Sequence, residues 1–160
     1  MVFACLFLPF LRVCGEPTPA LAWPMFYSPY VVAALVFWAA LAGPRALWGL
    51  ALALRIVIWA TVASWCFVAM VVVSVDPTVD VWSVLSFASA VWLVFAVFAR
   101  GRPELVIARC GAAAGGASAV WFAGVATSPQ GLYGAAISMV AAAVMGLGSA
   151  WWCHEARTSP

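Results

Sequence analysis

The chain has 160 residues, 68% of them hydrophobic and 8% charged, with a formal net charge of +2. A soluble domain runs nearer half apolar and a quarter charged, and seven basic plus five acidic residues cannot clothe a water-facing surface of this size. A soluble domain and a basic nucleic-acid binder are thereby excluded, which leaves a single all-α integral membrane domain over residues 1–160 whose solvent is the lipid bilayer.

Spanning segments must satisfy their own backbone groups, and the apolar runs here are continuous rather than alternating as in a membrane barrel. A polytopic helical bundle follows. Every basic residue is Arg, with no Lys and no Asn in the chain. That usage fits a GC-rich genome, and so either a bacterial cytoplasmic membrane or a viral or host envelope membrane.

In chain order, Met1–Val13 is apolar but lacks the basic start and small-residue cleavage site of a secretory signal. Thirteen residues do not cross a bilayer alone, since a span needs about 20; the segment is read as retained in the membrane or its interface. Five main helices are then expected. Ser28-Pro29, Gly43-Pro44, Asp76-Pro77, Arg102-Pro103 and Ser128-Pro129 each precede an apolar run, and proline favours the first helical position. The helices start near Pro29 (or Pro24), Pro44, Pro77, Pro103 and Pro129, and end near Ala42, Val75, Ala99, Ala126 and Trp152. Five full spans result, or six if the N-terminal segment crosses. The run from Pro44 to Val75 is too long for one span, so Ala46–Leu54 is expected along the membrane surface, with the crossing starting near Ile56 and Arg55 at the interface.

The loops alternate in charge. One set holds Glu16, then Asp76 and Asp80, then nothing charged over 127–130. The other holds Arg45 and Arg55, then Arg100, Arg102 and Arg109, then Arg157. The positive-inside rule puts the second set, and the C-terminus, in the cytoplasm; Arg12 alone disagrees. Trp23, Trp48, Trp82, Trp151 and Trp152 fall at expected interfaces, where indoles are favoured. Trp38, Trp59, Trp65, Trp92 and Trp121 fall deeper, as bulk opposite small residues or as a platform for an apolar ligand.

The last two helices carry the most telling pattern. Gly111, Gly115, Ala119 and Ala123 lie four apart down one. Gly134, Ser138, Ala142, Gly146 and Ala150 lie four apart down the next. Residues at i and i+4 share a helix face, so each helix has a ridge almost free of side chains. In lipid, helices gain by bringing such ridges together. A close-packed hairpin is expected.

Groups able to do chemistry are sparse. Arg55, Thr61, Ser64, Ser83, Ser86 and Ser89 form a possible polar path, although Arg55 can reach the interface and the hydroxyls can bond to the preceding turn. One His and five Cys without a C-x-x-C pair give no metal or disulfide-exchange motif, and Cys153-His154-Glu155 is an isolated cluster. No catalytic pair or nucleotide fingerprint is present, and no cofactor is expected. The expected function is therefore non-enzymatic: an accessory or assembly subunit, or a homo-oligomer, acting by helix packing on a membrane-protein partner. The alternatives are a small channel, carrier or pore-forming protein, or a membrane binder of an apolar ligand.

Overall fold

The computed structural model describes residues 7–13, 16–19, 27–75, 81–127 and 131–158. Its elements in order are β1 (Pro9–Val13), β2 (Glu16–Pro19), α1 (Tyr27–Leu41), α2 (Pro44–Val75), α3 (Val81–Val97), α4 (Pro103–Thr127) and α5 (Tyr133–Thr158). Among the described residues, the strands β1 and β2 precede five helices. The two strands pair antiparallel, Pro9 opposite Pro19 and Val13 opposite Glu16. The all-α class thus holds for the bundle, whereas the sixth span left open for the N-terminal segment is not supported: its described residues 9–13 form a strand. Pro9, Pro17 and Pro19 lack the N–H that a helix interior needs, whereas a two-stranded edge tolerates proline.

Among the described residues, three helices are long and apolar enough to cross a membrane: Arg45–Phe67 within α2, α4 over Pro103–Thr127, and α5 over Tyr133–Thr158. The expected five full spans are not supported. α1 has 15 residues and the described α3 has 17, which rise about 22 and 26 Å. Both fall short of a hydrocarbon core about 30 Å thick. α3 stops early because the backbone tightens, Ala99 N–H bonding the Ala96 carbonyl at 3.1 Å, just before Gly101 at φ 134°.

The surface segment expected at Ala46–Leu54 is also overturned, since α2 is one unbroken helix. Leu47, Ala51, Leu54, Ile58 and Val62 form a buried stripe that packs with Val36 and Ala39 of α1 and Leu93 and Val97 of α3. The spacing of that stripe is helical straight through Arg55, so burial rather than bilayer thickness sets the helix length.

α4 lies at the centre and touches all four other helices. Of its apolar window 61% is buried, against 33% for the α2 span and 28% for α5. Its composition explains the position. With Ala113, Ala114, Gly115, Gly116 and Ala117 in sequence, α4 is thin enough for neighbours to approach from every side. A second buried cluster of Tyr30, Phe122, Ala135 and Ala142 closes one end of the bundle, with Leu8 beside the β-hairpin packed against it. Large apolar side chains face outward instead, among them Phe37, Trp38, Phe67, Phe95 and Leu147, each at least 65% exposed. Such a surface is unusual for a protein in water and suits one embedded in lipid.

Candidate functional site

The two small-residue ridges meet. A Cβ added at Gly115 would lie 2.5 Å from both Cα and N of Gly146 and 2.9 Å from the Ala142 carbonyl. One added at Gly111 would lie 2.6 Å from Ser149 Oγ. The backbones of α4 and α5 therefore touch with almost no side chain between them.

The ridges are not straight rows, however. A four-residue step advances about 40° around a helix, so Gly134 and Ala150 lie about 160° apart on α5. Gly134 faces the hairpin, where an added Cβ would strike the Pro9 carbonyl. Ser138 donates to or accepts from Tyr30 of α1, Oγ to Oη 2.9 Å. Ala142 and Gly146 meet α4, while Ala150 is exposed. Ala119 and Ala123 of α4 are half-buried, Ala119 at the edge of the second cluster.

The inward face of α5 is the row Ala135, Ser138, Ala142, Gly146, Ser149 and Cys153, all buried. Its spacing of three and four includes Ser149, which a strict four-residue row misses. The outward face is equally regular. Tyr133, Ile137, Val140, Val144, Leu147 and Trp151 repeat at four and three, and each is at least 44% exposed. The inward face is built of small residues and the outward face of large ones, so α5 is two-faced in side-chain size.

The possible polar path does not gather around a common cavity among the described residues. Thr61 is buried and its hydroxyl donates to the Val57 carbonyl one turn back, at 2.8 Å. Ser64 is exposed and Ser89 buried. Ser83 and Ser86 lie on α3, but their side chains are outside the described set, as are Asp76 and Asp80. Thr61 shares a void of about 10 Å³ with Ser118, Trp65 and Ser28, room for roughly one water molecule. Arg55 reaches along α2 to the end of α3, where Nη2 donates to the Ala99 carbonyl at 2.7 Å. A cation there satisfies a helix-terminal carbonyl and complements the helix dipole.

The arginines converge at one end of the bundle. Arg55 meets Ala99, Arg109 Nη1 donates to the Arg100 carbonyl at 3.3 Å, and Arg109 and Arg157 line one groove with Ala99. Arg45 lies about 15 Å further along α2 toward the same end. Arg12, in β1 beside the start of α5, lies at the other.

That groove has a volume of about 530 Å³. α4 forms its floor at Ala112 and Ala113, between α3 and α5. Trp92, Phe95 and Phe98 make the α3 wall, and the end of the Trp92 ring lies against Gly116, 3.0 Å from where a Cβ would stand. The α5 wall carries Cys153, His154 and Arg157. Cys153 is buried, His154 exposed, and Glu155 accepts from Trp151 Nε1 at 3.0 Å. Of the deeper Trp residues, Trp65 and Trp121 stack with centroids 5.6 Å apart, and Trp38 and Trp59 are exposed. Sequence reasoning missed the groove because its members come from three helices and share no local pattern. No family model, no curated protein and no solved structure matches the chain.

Proposed function

We propose that this chain is a non-catalytic multi-pass membrane protein, its arginine end and C-terminus in the cytoplasm, that works by helix packing and pairs with a second copy through the outer face of α5. The observation that carries this reading is the row Tyr133, Ile137, Val140, Val144, Leu147 and Trp151. Lipid places no periodic demand on the side chains it touches. The steps of four and three in this row average 3.6 residues, the period of a straight α-helix, so one face of α5 is large and apolar along its whole length, a surface that a second helix can pack against. A seam on one helix can meet the same seam on a second copy about a two-fold axis. The small-residue ridges support the reading from the other side: they pack inside the chain and leave α5 rigid.

The test is disulfide crosslinking in native membranes with Val144→Cys and Leu147→Cys, and Met70→Cys, exposed on α2, as the off-seam control. Dimers at the α5 positions and monomers at the control are expected. Monomers at every position, with the protein folded, remove the pairing. The voids near Thr61 give a channel or carrier reading no comparable support.

A further inference from the structure

We infer that the groove between α3 and α5 holds one membrane phospholipid with an anionic headgroup, its phosphate at Arg109, His154 and Arg157 and an acyl chain lying over Ala112 and Ala113 against Trp92. Three observations on the groove point the same way. First, its volume of about 530 Å³ falls within the usual range for ligand pockets, about 300–1,000 Å³, and it opens on the outer surface of the bundle, where Phe95 and Phe98 are exposed. A ligand can therefore enter sideways from the bilayer.

Second, its two ends differ in chemistry. Trp92, Ala112 and Ala113 are apolar, whereas Arg109, His154 and Arg157 stand together at the other end. No carboxylate lines it among the described residues, and the nearby Glu155 is engaged by Trp151. An apolar track that ends in cations complements a molecule with an acyl chain and a negative head. Basic pockets between membrane helices on the cytoplasmic side take anionic headgroups for this reason.

Third, Arg109 is under-satisfied. Its Nε is buried without a hydrogen-bond partner, and its one hydrogen bond among those described is the 3.3 Å contact to the Arg100 carbonyl. A guanidinium presents five donors in a fork that fits phosphate oxygens. Leaving donors unpaired at the edge of a membrane is costly, and a phosphate would take up the Nη donors that the single bond to Arg100 leaves over.

The experiment measures binding of fluorescent short-chain phosphatidylglycerol to the purified full-length protein in detergent micelles, with the equivalent phosphatidylcholine as reference. Tighter binding of phosphatidylglycerol is expected. Each arginine near a lipid surface contributes about 1 kcal/mol, which is about fivefold in affinity. Arg157→Gln should weaken phosphatidylglycerol binding about fivefold, and the Arg109→Gln/Arg157→Gln pair roughly 25-fold. Arg157 is exposed in the last turns of α5, so its variant stays folded even if Arg109→Gln does not. Ala112→Leu, which narrows the track and keeps the cations, should also weaken binding.

Arg45→Gln, at the same end but outside the groove, should change nothing; a loss equal to that of Arg157→Gln would mean diffuse surface charge and overturn the proposal. Equal affinity for the two lipids would overturn it too. Displacement of the lipid by millimolar inorganic phosphate, with Ala112→Leu without effect, would show that the cations hold a soluble anion and refute the lipid assignment. Crosslinking along α5 is read separately, so either idea can fail while the other stands.

Discussion

Replacing Gly115 by Ala adds one methyl group at the tightest point of the bundle. That carbon would sit 2.5 Å from the Cα and N of Gly146 and 2.9 Å from the Ala142 carbonyl. Carbon atoms rest at about 3.5–4.0 Å, so α4 and α5 must part by about 1 Å at this level. The obstructing atoms are backbone, which cannot rotate aside as a side chain would. A gap of that size forfeits a quarter to a half of each contact it opens, and overpacking of this kind costs about 1–3 kcal/mol. Against this, Ala favours the helix over Gly by about 1 kcal/mol. The net expectation is a loss of up to about 2 kcal/mol, with Gly115→Val worse.

Gly148 is the internal control, because a Cβ there meets nothing within 4 Å; Gly148→Ala should be neutral or up to about 1 kcal/mol stabilising. Unfolding in mixed micelles by titration with SDS, followed by circular dichroism, ranks the variants. If Gly115→Ala proves as stable as Gly148→Ala, the two ridges are not in contact and the central packing described above is wrong.

Tyr30→Phe and Ser138→Ala should each destabilise, and their double-mutant cycle should return a coupling of about 0.6 kcal/mol, typical of hydrogen bonds between membrane helices, for the 2.9 Å contact between them; zero coupling removes that bond. Arg55→Gln should cost about 1.5 kcal/mol, the lower end for a hydrogen bond to a charged group, and should speed amide exchange around 96–100, where the Arg55 guanidinium caps α3. If exchange there is unchanged, Arg55 serves another purpose. In sealed vesicles, a thiol reagent unable to cross lipid should reach Cys introduced at Arg102 and Arg157 from the same side, and Cys introduced at Arg12 from the opposite one. Labelling of all three from one side would break the up-and-down course of the bundle.

Prolines marked helix starts well where the chain begins a helix by itself. α2 and α4 begin at Pro44 and Pro103 as expected, because the ring pre-sets φ and the missing N–H has no partner to lose. Hydropathy alone served less well for lengths. It treated α2 as too long, although the stripe Leu47, Ala51, Leu54, Ile58 was legible at helical spacing and runs on through Arg55. It ended α5 near Trp152, whereas the helix continues to Thr158, held by local bonds such as Thr158 Oγ1 to the His154 carbonyl at 3.3 Å. The meeting of Gly115 with Gly146 was visible in the pattern of small residues. The exposure of Ala150 was not, because a four-residue row ignores the 40° drift per step. The convergence of Arg109 with Arg157 depends on α4 and α5 being antiparallel and adjacent, which loop charges only suggest. The β-hairpin had no signal strong enough to compete with the apolar character of its residues.

The central position of α4 has a consequence for how the chain is made. Of the three long helices its mean hydropathy is the lowest, 1.4 against 1.9 for the α2 span and 1.5 for α5. Gly111, Gly115, Gly116 and Ser118 face neighbours rather than acyl chains. During synthesis α4 leaves the ribosome before α5 exists, and for that interval its bare flank has no partner. A chain cut before Tyr133 would keep that flank open for good. α5 thus covers a flank that α4 alone would leave bare.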